Sequence, residues 1–256
     1  MKVLAVGDLV GENGVKYLDF VLPRIIEDEK IDFVIANAEN AAGGSGITTK
    51  VYNDLNKMNI DAYTFGNHTW GKKDIFSFID DPKVIRPANY SDGVPGHGYT
   101  IFKKNGKKIA VINLIGRTDM NVQSENPFLY MDKLLEEIKA DYIIVDFHAE
   151  ATAEKVALAH YLDGRVNIIF GTHTHVQTAD EIILEKGTGY ISDIGMTGPY
   201  DSVIGMDKEA ALKRFLTSIP ERYKLATGNC MFNGVVFDID DNTGKVVNVY
   251  RINERD

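Results

Sequence analysis

The stretch VNIIFGTHTHVQTAD, residues 166–180, runs from an apolar segment directly into two histidines, His173 and His175. A short run rich in β-branched residues without polar alternation reads as a strand buried on both faces. In extended backbone, positions i and i+2 point to one face, so two imidazoles leaving such a strand can converge on a single object. A metal ion is the first candidate. An isolated H-x-H is also what two polar loop residues beside a turn look like, so the rest of the chain has to decide.

Outward from this stretch the same event recurs. Asp8 follows KVLAVG, Glu39 and Asn40 follow DFVIANA, Asn67 and His68 follow DAYTFG, and His148 follows DYIIVDF. Between these runs lie helix-period segments, YLDFVLPRIIEDEK and others near 48–59 and 72–80, which gives a βαβαβ reading. The short run VIRPANY comes next, and Asn105-Gly106 between two strand-like runs signals a hairpin, so the sheet is expected to be mixed. Asn126-Pro127 should open a helix reaching Lys139, with Asn as cap and Pro in the first turn. TAEKVALAHYLDG forms the helix between DYIIVDFH and VNIIFGTHTH. Beyond residue 180 the chain turns strand-rich, with EIILEK, GYISDIG, a helix over 207–217, MFNGVVFDI and KVVNVYRI. With 256 residues, 44% of them hydrophobic, and no linker or repeat, one α/β domain spanning 1–256 is expected.

Strands of an open α/β sheet share a carboxyl edge, and ligands bind in the crevice there. Five strand ends should therefore deliver Asp8, Glu39, Asn40, Asn67, His148, His173 and His175 to one place. Taken singly, each is an ordinary turn former or helix cap. Their agreement in type, and the fall of four of the six histidines (His68, His148, His173 and His175) at these strand ends, argue for a common site. Seven oxygen and imidazole donors exceed the needs of one tetrahedral ion, and a single cysteine, Cys230, excludes a thiolate-built site. Two ions are the economical solution, with a carboxylate such as Glu39 bridging them at roughly 3.5 to 4 Å. The net charge, 28 minus 37 or −9, lacks the basic footprint of a duplex-binding protein. Two cations in an acidic protein would instead focus positive potential on an anionic ester.

His68 is left over from the ligand set. Adjacent to Asn67, its side chain should leave the backbone in a different direction while staying near the metals, which suits a general acid with a pKa near neutrality. An eighth ligand or an outer hydrogen-bond donor are the alternatives. DIGMTGP, residues 193–199, reads either as a loop lining the substrate pocket or as a plain turn. Gly43-Gly44-Ser45-Gly46 could offer N–H groups to phosphate or be merely flexible, and Trp70 could stack on a base or pack locally. His97 and His160 lack a strand-end position and fall outside the site. Cys230 reads as a small buried apolar residue. With no apolar run approaching the roughly 18 residues of a membrane span, a soluble cytoplasmic protein is expected. Homo-oligomers are common enough for self-association to be expected too.

The segments GDLVGENG, NAENAAGG, GNHTW, FHAE, GTHTHVQTAD and DIGMTGP, spread over almost the whole chain, resemble the signature stretches of the YmdB-type branch of the calcineurin-like metallophosphoesterases. Where the wider superfamily has a ligand histidine, a bridging Asp and G-N-H-E, this chain has Val10, Glu39 and Thr69 after His68. The same replacements mark the YmdB-type branch. The resemblance implies that Asp8, Glu39, Asn40 and His175 hold one ion, that Glu39, Asn67, His148 and His173 hold the other, and that His68 donates a proton. It further implies a four-layer α/β/β/α fold with mixed sheets, iron or manganese in preference to zinc or magnesium, and hydrolysis of cyclic nucleotides, notably 2′,3′-cyclic ones. The residues by themselves stop at a dinuclear phosphoesterase. A phosphomonoesterase or nucleotidase remains the close rival, and a slowly turning-over protein that senses a nucleotide or RNA end is a second class.

Overall fold

The computed structural model describes residues 1–222 and 224–256. The chain opens with β1 (Lys2–Val6), the two-residue β2 (Asp8–Leu9), α1 (Gly11–Glu29), β3 (Phe33–Asn37), α2 (Thr49–Leu55) and β4 (Ala62–Thr64). After a 3-10 turn over Lys73–Ser77 come β5 (Val84–Ile85), β6 (Tyr99–Lys104), β7 (Lys107–Ile115), α3 (Pro127–Glu137), β8 (Tyr142–His148), α4 (Thr152–Leu162) and β9 (Ile168–Thr172). β10 (Ile182–Ile183), β11 (Gly189–Ile191), β12 (Met196–Pro199), α5 (Lys208–Thr217), β13 (Cys230–Ile239) and β14 (Val246–Arg255) complete it.

Among the described residues these strands form two sheets, not the single mixed sheet that alternation alone suggests. The first has the order β2-β12-β13-β1-β3-β4-β5 with β14 on the far side of β13, and the second β10-β11-β9-β8-β7-β6. Both are mixed: β1, β3, β4 and β5 run parallel while β13 is antiparallel to β1, and β7, β8, β9 and β11 run parallel between the antiparallel edge strands β6 and β10. Strand periodicity sorts the core into three slabs. Leu4, Val6, Val34 and Ala36 face α1 and α2, meeting Leu18, Leu22, Ile25, Val51 and Leu55. Their alternates Val3, Ala5, Phe33 and Ile35 face the second sheet and pack on Val111, Ile144, Ile168 and Phe170. Val145, Phe147 and Ile169, on the outer face of that sheet, bury Met131, Leu134, Leu158 and Leu162 of α3 and α4. Three slabs between four layers make the expected α/β/β/α sandwich.

Local signals account for most elements. Asn126 caps α3, its Oδ1 accepting from Phe128 N at 3.0 Å, with Pro127 in the first turn. Asn105 and Gly106 both adopt positive φ, 49° and 76°, as the β6–β7 turn requires. Other expectations shift. α1 starts at Gly11, well before Tyr17, and passes through Pro23 without ending. Pro23 lies on the solvent face, where water can satisfy the carbonyl that the missing N–H leaves free. The helix expected over 72–80 is only the 3-10 turn, because its apolar residues Ile75, Phe78 and Ile79 fit a short buried plug before β5. DIGMTGP is not a plain turn: its second half is β12, buried, paired with Asp8–Leu9 on one side and with Cys230 and Met231 on the other. No helix among the described residues is long and apolar enough to cross a membrane.

Candidate metal centre

All seven strand-end donors meet where β1, β3 and β4 of the first sheet and β8 and β9 of the second point their carboxyl ends at one another. The crevice lies between two sheets, not along one edge. Glu39 stands at its middle, fully buried. Its Oε1 is 3.0 Å from His148 Nε2 and 3.4 Å from Asn40 Nδ2, while Oε2 accepts from the backbone N of His68 at 2.8 Å. On one side of it, His148 Nε2 has Asn67 Oδ1 at 2.8 Å and His173 Nδ1 at 3.0 Å as well as the Glu39 oxygen. On the other, Asn40 Nδ2 lies 3.1 Å from His175 Nε2 and 3.5 Å from Asp8 Oδ1.

The hydrogen bonds behind the rings test whether a cation fits. His148 Nδ1 is 2.9 Å from Thr172 Oγ1, whose hydroxyl is committed to Asp146 Oδ1 at 2.7 Å, so Nδ1 must carry the proton. His173 Nε2 faces Glu150 Oε2 at 3.1 Å, and His175 Nδ1 faces the carbonyl of Ile204 at 2.9 Å. Each outer nitrogen thus has a hydrogen-bond partner behind the ring, which leaves the inner nitrogens to ligate a cation: His148 Nε2 and His173 Nδ1 lie in the group with Glu39, and His175 Nε2 lies beside Asn40 and Asp8. Glu39, His148 and His173 present donor atoms within 4.8 Å of one another. A single N–H could not satisfy the three polar neighbours of His148 Nε2, whereas one cation can accept from all four atoms. The terminal amide of Asn40, turned over, would bring Oδ1 to the same place beside Asp8 and His175. Nitrogen and oxygen donors without sulfur suit a divalent transition metal.

Charge behaves accordingly. Burial raises the Asp8 carboxyl to about 6 and that of Asp146 to about 7. Burial works the same way on Glu39, yet the His148 charge and the His68 N–H overcome it and lower Glu39 to about 2. His148 moves to about 9, burial being outweighed by Glu39, and burial with the neighbouring His148 cation takes His173 down to about 3.

The pair that prompted the metal reading converges for a different reason than strand alternation. His173 and His175 lie beyond β9 with φ of 99° and 65°, the left-handed region that a side chain adopts at a cost of about 1–3 kcal/mol. Four hydrogen bonds hold them there. His173 N donates to Asp8 Oδ2 at 3.3 Å, Thr174 N to Asp193 Oδ2 at 3.0 Å, and the buried Lys155 of α4 donates both to Asp193 Oδ2 at 2.8 Å and to the Thr172 carbonyl at 2.9 Å. Lys155→Met would leave Asp193 charged and unpaired in the interior, and should cost about 3–5 kcal/mol in urea unfolding. A loss below about 1 kcal/mol would mean that this pair does not anchor the turn.

His68 differs from the other three. Its Nδ1 is 3.2 Å from Ser45 Oγ, and its Nε2 makes no hydrogen bond among the described residues. Gly43-Gly44-Ser45-Gly46 therefore supports this ring. Gly46 and Gly71 let the two turns touch, since a Cβ at Gly71 would come 2.6 Å from Ser45 Oγ. Likewise a Cβ at Gly66 would fall 2.2 Å from the His148 ring. His97 and His160 are exposed and lie apart from the centre. The sequence reading missed Ser45, Asp146, Glu150, Thr172 and the Lys155–Asp193 pair. Asp146 was the findable one: a carboxylate inside a buried run, two residues before His148 and so on the same strand face. A cavity of about 330 Å³ opens beside His175, lined by Met196, Tyr200, Ile204 and Arg255. Another of about 600 Å³ sits near Asp32, Asp61 and Lys104 and has no histidine.

Residues 4–252 match the family described as YmdB-like protein. A Bacillus subtilis protein named 2′,3′-cyclic-nucleotide 2′-phosphodiesterase is 52% identical over 255 residues, covering 98% of this chain and 96% of its own. The crystal structure of a Mycoplasma pneumoniae phosphatase superposes with a TM-score of 0.95 at 36% identity, over 100% of this chain and 93% of that one. The calcineurin-like phosphoesterase YfkN of Bacillus subtilis shares the fold, with a TM-score of 0.59 at 13% identity over 99% and 90% of the two chains. The two mixed sheets packed face to face are the fold this chain shares with that calcineurin-like phosphoesterase. Within that fold, the chain belongs to the YmdB-like protein family.

Proposed function

We propose that this protein is a cytoplasmic dinuclear metal-dependent phosphodiesterase acting on 2′,3′-cyclic nucleotides. The observation that carries the reading is the arrangement of three histidines, each held from behind by a hydrogen bond, with inner nitrogens turned into one donor set: His148 and His173 beside Glu39, and His175 beside Asp8 and Asn40, which Glu39 also reaches. We assign Asp8, Glu39, Asn40 and His175 to one ion and Glu39, Asn67, His148 and His173 to the other, with iron or manganese as occupants. Bound there, the ions would supply Lewis acidity and a water acidic enough to act as nucleophile near neutral pH. The chain's own contribution is orientation. Thr172 and Asp146 fix His148, Glu150 fixes His173, and the Ile204 carbonyl fixes His175. As the P–O bond to one ribose oxygen breaks, that oxygen takes a proton from His68 Nε2, whose ring Ser45 holds from behind. The sequence relative named for 2′,3′-cyclic nucleotides supports the substrate class. Cys230, a free thiol, stays reduced in the cytoplasm.

Hydrolysis of bis-p-nitrophenyl phosphate and p-nitrophenyl phosphate, with added manganese and with chelator, tests the reading. Metal-dependent diester cleavage that exceeds monoester cleavage is expected. A strong monoester preference would move the protein to the phosphatase reading, and saturable binding without turnover to the sensor reading. Thr172→Val removes the acceptor behind His148, and should weaken metal binding by roughly 10- to 100-fold in a competitive chelator titration. Unchanged affinity would mean that the Asp146–Thr172–His148 chain is structural only.

A further inference from the structure

Trp70, the single tryptophan of the chain, closes the turn that begins at His68, Gly71 N donating to the His68 carbonyl at 2.8 Å. Its ring lies 5.4 Å from that of Phe76 with only 9° between the planes. Behind the pair stands buried Tyr90, 6.3 Å from Trp70, whose hydroxyl donates to the Gly66 carbonyl at 2.9 Å. Gly66 is the residue that makes room for His148. Trp70 is thus built onto the same turn as His68, with Phe76 of the following 3-10 turn stacked on it and Tyr90 bracing it against the residue beneath His148. Yet Trp70 is 37% and Phe76 57% exposed. Two large parallel, stacked rings left partly open to water cost apolar hydration unless a further flat ligand extends the stack. Lys72 and Lys73, which lie between them in sequence, pair with no carboxylate among the described residues, in a protein of net charge −9. Aromatic rings interleaved with free cations are the surface that single nucleotides stack on.

We propose that the exposed surface of Trp70 and Phe76 is the nucleobase subsite of this enzyme. This rests on the reading of the centre as a cyclic-nucleotide phosphodiesterase and deepens it. The substrate class it selects is a nucleoside cyclic phosphate, purine ahead of pyrimidine because the larger base covers more of an open ring face. The base lies on the His68 side of the metals, so the ribose oxygen that receives the proton is held between the stacked base and the phosphate. The cavity beside His175 is then left for the far side of the phosphate.

Because Trp70 is the only tryptophan, stacking can be read without turnover. Manganese-loaded enzyme is titrated with adenosine 3′-monophosphate and with ribose 3-phosphate, which has no base. Saturable quenching of tryptophan fluorescence by the first and none by the second is expected. In parallel, kcat/KM is measured on 2′,3′-cyclic AMP and on methyl riboside 2,3-cyclic phosphate for wild type, Trp70→Leu, Trp70→Phe and Phe76→Leu. The ratio of base-bearing to base-free kcat/KM should fall roughly 10- to 100-fold in Trp70→Leu, by less in Phe76→Leu, and recover in Trp70→Phe. The change should lie in KM and not in kcat. Equal wild-type efficiency on the two cyclic phosphates, parallel losses on both in the variants, or binding of adenosine phosphate without quenching would each overturn the subsite. Should wild type hydrolyse neither cyclic phosphate, the functional reading fails instead, and the quenching titration still decides whether a base stacks on Trp70. Phe76→Leu, which keeps the fluorophore, serves if a Trp70 variant does not fold.

Discussion

Glu39→Ala is expected to lose bound metal and to drop in turnover by on the order of 10⁴-fold or more, since nucleophile formation and phosphate clamping both depend on the ions. The size of the effect follows from position. Of the seven donors, Glu39 alone reaches both halves of the centre, 3.0 Å from His148 on one side and 3.4 Å from Asn40 on the other, and its second oxygen fixes the backbone of His68 at 2.8 Å. Removing it therefore strikes both of the proposed ion positions and the proposed proton donor together. Metal content after dialysis, diester hydrolysis and circular dichroism are to be compared with those of Asn67→Ala, which touches one half only. A Glu39→Ala protein that keeps its full metal content and more than a tenth of its activity would show that the carboxylate does not bridge.

His68→Ala should behave differently, retaining metal while losing roughly 10² to 10⁴ in turnover on 2′,3′-cyclic AMP, the usual worth of a general acid. The deficit should depend on the leaving group. p-Nitrophenol is a far stronger acid than a ribose hydroxyl, so its anion departs without much help, and the variant should recover much of its rate on a p-nitrophenyl diester. Loss of metal would harm both substrates alike. Ser45→Ala, which frees the back of the ring without removing it, should show the same substrate dependence at smaller amplitude. Equal deficits on both esters at full metal occupancy would remove the acid role and leave His68 as a positioning residue.

The strand-end pattern made the centre legible because each donor sits at the point where a buried run stops, and burial is written into local composition. Asn126-Pro127 and Asn105-Gly106 were legible for a similar reason, since cap and turn chemistry act within four residues. The division into two sheets was not legible from alternation. Val3 and Val111 look alike in sequence, and only their mutual packing tells one sheet from the other. β12 was hidden because MTGP has the composition of a turn, and its strand geometry is imposed by Asp8–Leu9 and β13 on either side. The groups behind the rings were equally opaque. Ser45, Glu150 and Thr172 are ordinary polar residues until a distant histidine is brought to face them. The left-handed backbone of His173 and His175 rests on Asp193 and Lys155, which no spacing rule connects to them.

Asp8, Glu39, Asn40 and Asn67 come from one face-packed layer of the sandwich, and His148, His173 and His175 from the other. An ion shared by these residues would act as a fastener across the seam between the layers. Neither half of the polypeptide could then carry a rudimentary activity of its own, because the catalytic group comes into being only on docking. By mass action, any ion that binds the docked form alone adds about 4 kcal/mol to its stability when present at a thousand times its dissociation constant. Metal supply would thereby set how long the enzyme survives heat and proteolysis as well as how fast it works. Starvation for the ion would be felt first as weaker amide protection, that is faster exchange, at the carboxyl ends of β8 and β9, where the two layers meet.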